Sequence, residues 1–229
     1  MMLLKNIKIT NFIKREKRFL VHTNLGLVYC ANTGRMEGLL EPNTNMIVSN
    51  INSKMKLKWE AAFIENTWVG TNTQNPNFLI NSILETLFPN DKFQREVMFT
   101  TKSNQRYRAD FASIVSKKII EVKHVHWKRF HDKNNQTAYF PDCITDRGAR
   151  QIIALNELGE ENDCYLIYVV QRNDVNAVTL ADDIDKVYTN AIRNSKNIKF
   201  LAFNSSIILD SQNKNVEIKI NKQIEYIFI

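Results

Sequence analysis

Short apolar-rich runs, parted by Asn, Gly and Pro breaks such as NTG and EPN, fill the first third of the chain. IKITNF, RFLVHTNLGLVYC, NMIVSNI, LKWEAAFIE and TWVGTNT read as strands. Strands this short at regular spacing suit a small barrel or a sandwich. The pattern changes after the Asn-rich TNTQNPN at 71–77, where Pro76 breaks backbone pairing. In NFLINSILETLF, Phe78, Leu79, Ile83, Leu84 and Leu87 fall on one broad helical face. A strand QREVMFT follows, then two strand-forming runs, ADFASIV and IIEVKHVHW, around a short polar break, then an irregular stretch to Cys143. Thr145 is a natural N-cap for DRGARQIIALNELG, with Asp146 favourable at the positive end of the helix dipole and Gly159 as a stop. CYLIYVVQ is almost continuously apolar and reads as a central strand. DDIDKVYTNAIRNS is a third helix, and two or three strands end the chain.

The boundary at the Asn-rich stretch divides the chain into a β domain, 1–76, and a second domain, 77–229. The second domain runs helix, strand, strand, strand, helix, strand, an order that predicts a mixed sheet with helices on its faces. The length of 229 residues leaves ample material for a core in each. The formal net charge of +7 makes an anionic partner the expectation, with nucleic acid first. Three scattered cysteines form neither a disulfide framework nor a zinc spacing, which points to a reducing compartment. MMLLKNIKITNFIKREKRF holds no apolar run of signal or membrane length, so a soluble cytoplasmic protein with no membrane partner is expected. There is no G-x-S-x-G and no phosphate-binding Gly loop, so nucleophilic hydrolase and triphosphatase chemistry have no support.

The two runs at 109–127 carry charges where strands are half buried, and such charges are costly unless paired or bound to an ion. Glu121 and Lys123 share one strand face, and Val122 and His124 the other. A two-residue loop at Ser116-Lys117 pairs Val115 with Lys118, Ala112 with Glu121 and Asp110 with Lys123. Asp110 then lies on the face of Glu121, one diagonal step away, roughly 7–8 Å between backbones. Two carboxylates at that distance can share Mg²⁺ or Mn²⁺, which take oxygen ligands and keep several waters. Such an ion activates water and neutralises charge on a phosphate, with Lys123 beside it to orient or polarise. The spacing alone also suits a solvated sheet edge with an ordinary ion pair.

CANTGRMEGLLEP, WVGTNTQNPN, YRADF, IIEVKHV, FPDCITDRGAR and YVVQRND, in this order, closely resemble the sugar fermentation stimulation protein family. The resemblance runs from about residue 15 to about 203. It implies an N-terminal OB-fold-like β-barrel joined to a PD-(D/E)XK nuclease-like mixed-sheet α/β domain. It also implies DNA binding, and an association with regulation of sugar-utilisation genes. Carried over, the nuclease motif falls on Asp110, Glu121 and Lys123, with Asp110 and Glu121 as metal ligands. The chain departs from the family pattern at Ala31, where the family has proline. It departs again at His124 and His126, and at Arg150 and Gln151, near the expected cleft. Phosphodiester hydrolysis is one expectation, and a non-catalytic DNA-binding regulator is the alternative.

Other residues extend the candidate site. Glu85 and Glu96 could add acidity, although Glu85 equally suits a solvated helix and Glu96 a salt bridge to Arg95 or Arg108. Arg108 could contact phosphate or pair with an acid. Asp142, Asp146 and Arg147 flank the second helix's start, whose free amides suit a phosphate, with Arg150 adding charge. In the barrel, KREKR at 14–18 offers Arg15 and Arg18 to a nucleic-acid backbone, and Arg35 in NTGRM is a further DNA-contact candidate. Phe12, Phe19 and Trp68 could stack on bases or fill the barrel. His124 and His126 share a face, which in a regular strand points away from Glu121, and no third transition-metal ligand lies nearby.

Overall fold

The structure, a computed structural model, describes residues 1–129 and 136–228. Its first strand, β1 (Met2–Lys5), belongs to the second domain. The barrel follows with β2 (Lys8–Glu16), β3 (Leu20–Thr23), β4 (Gly26–Tyr29), β5 (Asn45–Asn50), β6 (Leu57–Ile64) and β7 (Thr67–Gly70). RFLVHTNLGLVYC is a hairpin turning at Asn24-Leu25, and Gly26, at φ +96°, supplies the backbone that a side chain disfavours. The sheet runs β4-β3-β2-β5-β6-β7, and a parallel contact between Tyr29 and Lys58 closes five of these strands on themselves. That closure removes the open edges of a curled sheet. Phe12, Val21, Val28, Met46, Val48 and Trp59 fill the interior, and the Trp59 indole N–H is satisfied by the Ala61 carbonyl at 2.8 Å. The expected OB-like barrel is present.

The second domain contains α1 (Asn75–Asn81), α2 (Leu84–Leu87), β8 (Gln94–Thr100), β9 (Arg106–Ser113), β10 (Lys118–Val125) and β11 (Thr137–Phe140). After these come α3 (Asp146–Leu158), β12 (Asp163–Val170), β13 (Ala177–Leu180), α4 (Lys186–Asn194), β14 (Ile198–Leu209), β15 (Asn215–Gln223) and β16 (Glu225–Ile227). Its main sheet runs β1-β15-β14-β12-β10-β9-β8. β12 sits between β10 and β14 and is parallel to both, while the outer pairings are antiparallel, so the sheet is mixed. One face packs Ile119, Leu166 and Tyr168 against Ile152 and Leu155 of α3 and Tyr188 of α4. The opposite face packs Phe111, Ile120, Val122 and Ile167 against Leu79 and Ile80 of α1 and Ile47 and Ala61 of the barrel. The barrel is therefore docked on the sheet face opposite α3.

The structure differs from expectation at several places. Met2–Lys5 pairs with β15, so the start of the chain lies in the second domain's sheet, not in the barrel. The helix expected over 77–88 breaks at Ser82-Ile83, where the Ser82 hydroxyl donates to the Leu79 carbonyl and Ile83 leaves helical geometry. Phe78 faces outward under Arg95, and Ile80 takes its place in the core. A small sheet, β11-β13-β16, had no distinct signal in the sequence. The irregular stretch before Cys143 includes residues 130–135, which lie outside the described residues, and Thr137–Phe140 within it is a strand.

Candidate active site

The β9–β10 hairpin pairs Ser113 with Lys118, Ala112 with Ile119 and Phe111 with Ile120, leaving residues 114–117 as a four-residue loop. The expected register is thus displaced by two residues. Because side chains alternate with period two, an even displacement leaves each residue on its original face. The ladder ends at Phe111, and Asp110 is the first residue beyond it. There the Asp110 side chain takes over a backbone role: its Oδ2 accepts from the Val122 amide at 2.7 Å. Its Oδ1 accepts from the Asn77 side-chain amide of α1 at 2.9 Å. The last Asn of TNTQNPN therefore reaches the site, while Asn72 and Asn75 donate to the buried Glu60 of the barrel at 2.8 and 3.3 Å. Beyond marking a domain boundary, the asparagines of that stretch tie barrel, α1 and hairpin together.

Glu121 is buried. Its Oε2 accepts from the Tyr107 hydroxyl at 2.8 Å, and its Oε1 pairs with the Lys123 ammonium at 2.7 Å. Lys123 also donates to Gln151 of α3 at 2.9 Å, so the amine is held between strand and helix. Burial, and the negative charge of Glu121, lift the Asp110 carboxyl to about 6. Burial and Glu121 also drive the Tyr107 phenol well above its ordinary range, which keeps it a proton donor. Tyr107 and Asn77 support the two carboxylates, and neither carries a distinct signal in the sequence. Tyr107 precedes Asp110 by three in YRADF, an interval that in a regular strand would send it to the other face.

The remaining candidates have distinct positions. Glu96 faces the Asp110 level of β9, but the β8–β9 pairing skips this pair, and Glu96 adopts φ +56°. Its carboxylate turns to the Arg108 guanidinium at 2.8 Å. Asp142 is engaged with the barrel: its Oδ2 accepts from the Met36 amide at 3.4 Å and lies 3.7 Å from His126 Nε2. A Cβ on Gly34 would stand 2.2 Å from that Asp142 oxygen, so the NTG turn needs its glycine for this close approach. Arg15 points inward, donating to the carbonyls of Arg18, Gly34 and Asn32 at 2.9, 2.9 and 2.6 Å; it braces two turns of the barrel. Arg18 and Arg35 are exposed, Arg35 with a loose 3.8 Å contact to Glu37. Arg147 and Arg150 are exposed on the first turns of α3, and Glu85 is a solvated helix residue. Phe12 is core, Trp68 packs on Phe63, and Phe19 is exposed. His124 and His126 stack at 5.1 Å on the barrel side, and burial pushes His124 down to about 3. His124 Nε2 lies 3.2 Å from the Gly70 carbonyl.

Among the described residues no three His, Cys, Asp or Glu side chains converge as a ligand group. A cation here would rest on two carboxylates, with water and substrate oxygens completing its shell, as suits a hard divalent ion. Burial first, and the charge of Glu121 second, raise the Asp110 carboxyl, and a cation held by both carboxylates would offset their mutual repulsion.

Residues 74–211 match the model of the sugar fermentation stimulation protein RE domain, and residues 13–71 that of the SfsA N-terminal OB domain. A sugar fermentation stimulation protein homolog of Pelagibacter ubique is 33% identical, covering 94% of each chain. Its counterpart from Desulfotalea psychrophila is 31% identical over 86% of this chain and 87% of its own. Among solved structures, Pyrococcus furiosus SfsA in complex with Ca²⁺ superposes with a TM-score of 0.82 at 15% identity, covering 99% of this chain and 98% of that one.

Proposed function

The chain belongs to the sugar fermentation stimulation protein family, and from that premise we propose that it is a DNA-binding, divalent-metal-dependent nuclease. One observation carries this: Asp110 and Glu121 flank the point where the β9–β10 ladder ends, with the Lys123 amine held beside them. Asp110 and Glu121 would hold Mg²⁺ or Mn²⁺, and the Ca²⁺ in the Pyrococcus furiosus structure supports a hard divalent cation. When bound, that ion supplies charge neutralisation at phosphate and lowers the pKa of water.

The chain's own groups do the rest. The Val122 amide and Asn77 orient Asp110, and Tyr107 orients Glu121. Lys123 is fixed by Glu121 and Gln151, and its ammonium can donate to a phosphate oxygen at the same place. DNA is the proposed partner because the chain carries a formal net charge of +7. Contacts would be mostly to phosphates, with little sequence preference. No helix among the described residues is long and apolar enough to cross a membrane.

The test is incubation of the purified protein with single- and double-stranded DNA, with and without Mn²⁺, beside Asp110→Ala. Metal-dependent cutting by the wild type, absent in the variant, is the expected result. Salt-sensitive binding without cutting would leave a DNA-binding regulator on a nuclease scaffold, and no binding would overturn both.

A further inference from the structure

Beside the carboxylates, the first half of β9 and the first turns of α3 border a cavity of about 390 Å³. Arg106 and Arg108 line it from β9, and Arg147 and Arg150 from α3, together with Tyr107 and Gln151. No acidic residue is among its lining. Arg108 is paired with Glu96, whereas Arg106, Arg147 and Arg150 form no ion pair among the described residues. Three uncompensated like charges around one concavity repel each other, and their electrostatic complement is a compact anion. Guanidinium groups suit phosphate in particular, since their planar N–H forks match its oxygens and stay charged at any physiological pH.

The neutral lining residues connect this cavity to the neighbouring site. Tyr107 donates to Glu121, and Gln151 accepts from Lys123. An anion seated among the arginines would therefore lie one side chain away from the candidate metal ligands.

We propose that the cavity binds a phosphate monoester dianion, the group found at a nucleic-acid strand end and on a free mononucleotide. Its volume lies in the range of small-ligand pockets and suits one nucleotide, not a continuous strand. Three guanidiniums without an acid partner also exceed what a singly charged diester asks, and fit a doubly charged monoester. The strand end as source rests on the nuclease reading of the adjacent site; the phosphate chemistry does not.

The test measures binding of a short labelled oligonucleotide carrying a 5′-phosphate, a 3′-phosphate or neither, by fluorescence anisotropy with the full chain in EDTA. A mononucleotide monophosphate and its nucleoside serve as competitors. A terminal phosphate at one end should tighten binding about tenfold, and the monophosphate should compete where the nucleoside does not. Arg147→Gln combined with Arg150→Gln should remove both differences with no change in melting temperature, since both side chains are exposed. Competition without a strand-end preference would assign the cavity to free monoesters. Equal binding of all three oligonucleotides with no competition overturns the proposal, as does a preference that survives in the double variant. With no metal present, the result is independent of cleavage: either reading can fail while the other stands.

Discussion

At the scale of single residues, Asp110 holds the site's electrostatic tension. Its carboxyl is lifted from an ordinary 3.8 to about 6 by burial and by the charge of Glu121. The folded chain therefore holds this proton more tightly than the unfolded chain, so stability falls as pH rises from about 4 through 6 and stays lowered above. Asp110→Asn removes that titration. Relative to wild type, the variant should gain about 1–2 kcal/mol between pH 5 and pH 8 in urea unfolding without metal. A difference that stays flat across that range would show that Asp110 is not strained in the fold. Added Mn²⁺ should raise the melting temperature of the wild type and not of the variant. Tyr107→Phe removes the hydroxyl that donates to buried Glu121. It should cost about 1 kcal/mol and weaken Mn²⁺ binding in a calorimetric titration; unchanged Mn²⁺ affinity would confine Tyr107 to packing. The acid–acid–amine set was legible in the chain because strand alternation alone puts Glu121 and Lys123 together. Tyr107 was not, because its contact with Glu121 depends on how β9 runs past the end of its ladder.

At the scale of elements, helix ends were the clearest signals and the hairpin register the least. Thr145 caps α3 as its position before Asp146 predicts, its hydroxyl accepting from the Gly148 amide at 3.2 Å. Gly159 does end that helix, but with φ −68°; a Cβ there would meet the Asn197 carbonyl at 2.4 Å, so the glycine serves close packing. Asp185 caps α4 through the Tyr188 amide at 3.0 Å and also accepts from the Thr145 amide at 2.9 Å. One buried carboxylate thus serves the starts of two helices. Thr145→Ala should cost about 1 kcal/mol, and Asp185→Ala about twice that, in denaturant unfolding. Equal costs would show that Asp185 acts on α4 alone. The hairpin slid by two residues because residues 114–117 form the loop, with Lys117 at φ +51°, and no Asn-Gly or Asp-Gly signal marks a shorter turn.

At the scale of the whole molecule, barrel and sheet share one interface. The Gly70 amide donates to the Gln171 carbonyl at 2.7 Å, and fully buried Arg172 reaches Glu65 of the barrel at 3.0 Å and Asp174 at 2.6 Å. With β1 crossing into the second domain's sheet as well, the chain should unfold in a single calorimetric transition. Arg172→Ala leaves Glu65 and Asp174 without this partner; it should cost about 3 kcal/mol and split or broaden that transition. An unaltered single transition would place the coupling elsewhere in the interface. For nucleic acid, the logarithm of the binding constant should fall linearly with that of salt concentration, by about 0.7–0.9 per phosphate contacted. A salt-independent constant would remove phosphate contact as the source of affinity.

The amino-acid order by itself determined most of the strands and helices, the two-part organisation, the Thr145 cap and Gly159 stop of α3, and the shared face of Glu121 and Lys123. All of these depend on neighbours within a few residues, where periodicity and backbone preference act directly. The tertiary structure alone decided that Met2–Lys5 joins the far sheet and that Arg15 braces barrel turns. It also decided that Asp142 anchors Gly34 and that Asn77 reaches Asp110. Each of those contacts joins residues far apart in the chain, and their partners are set by how barrel, helix and sheet pack, which no local pattern encodes.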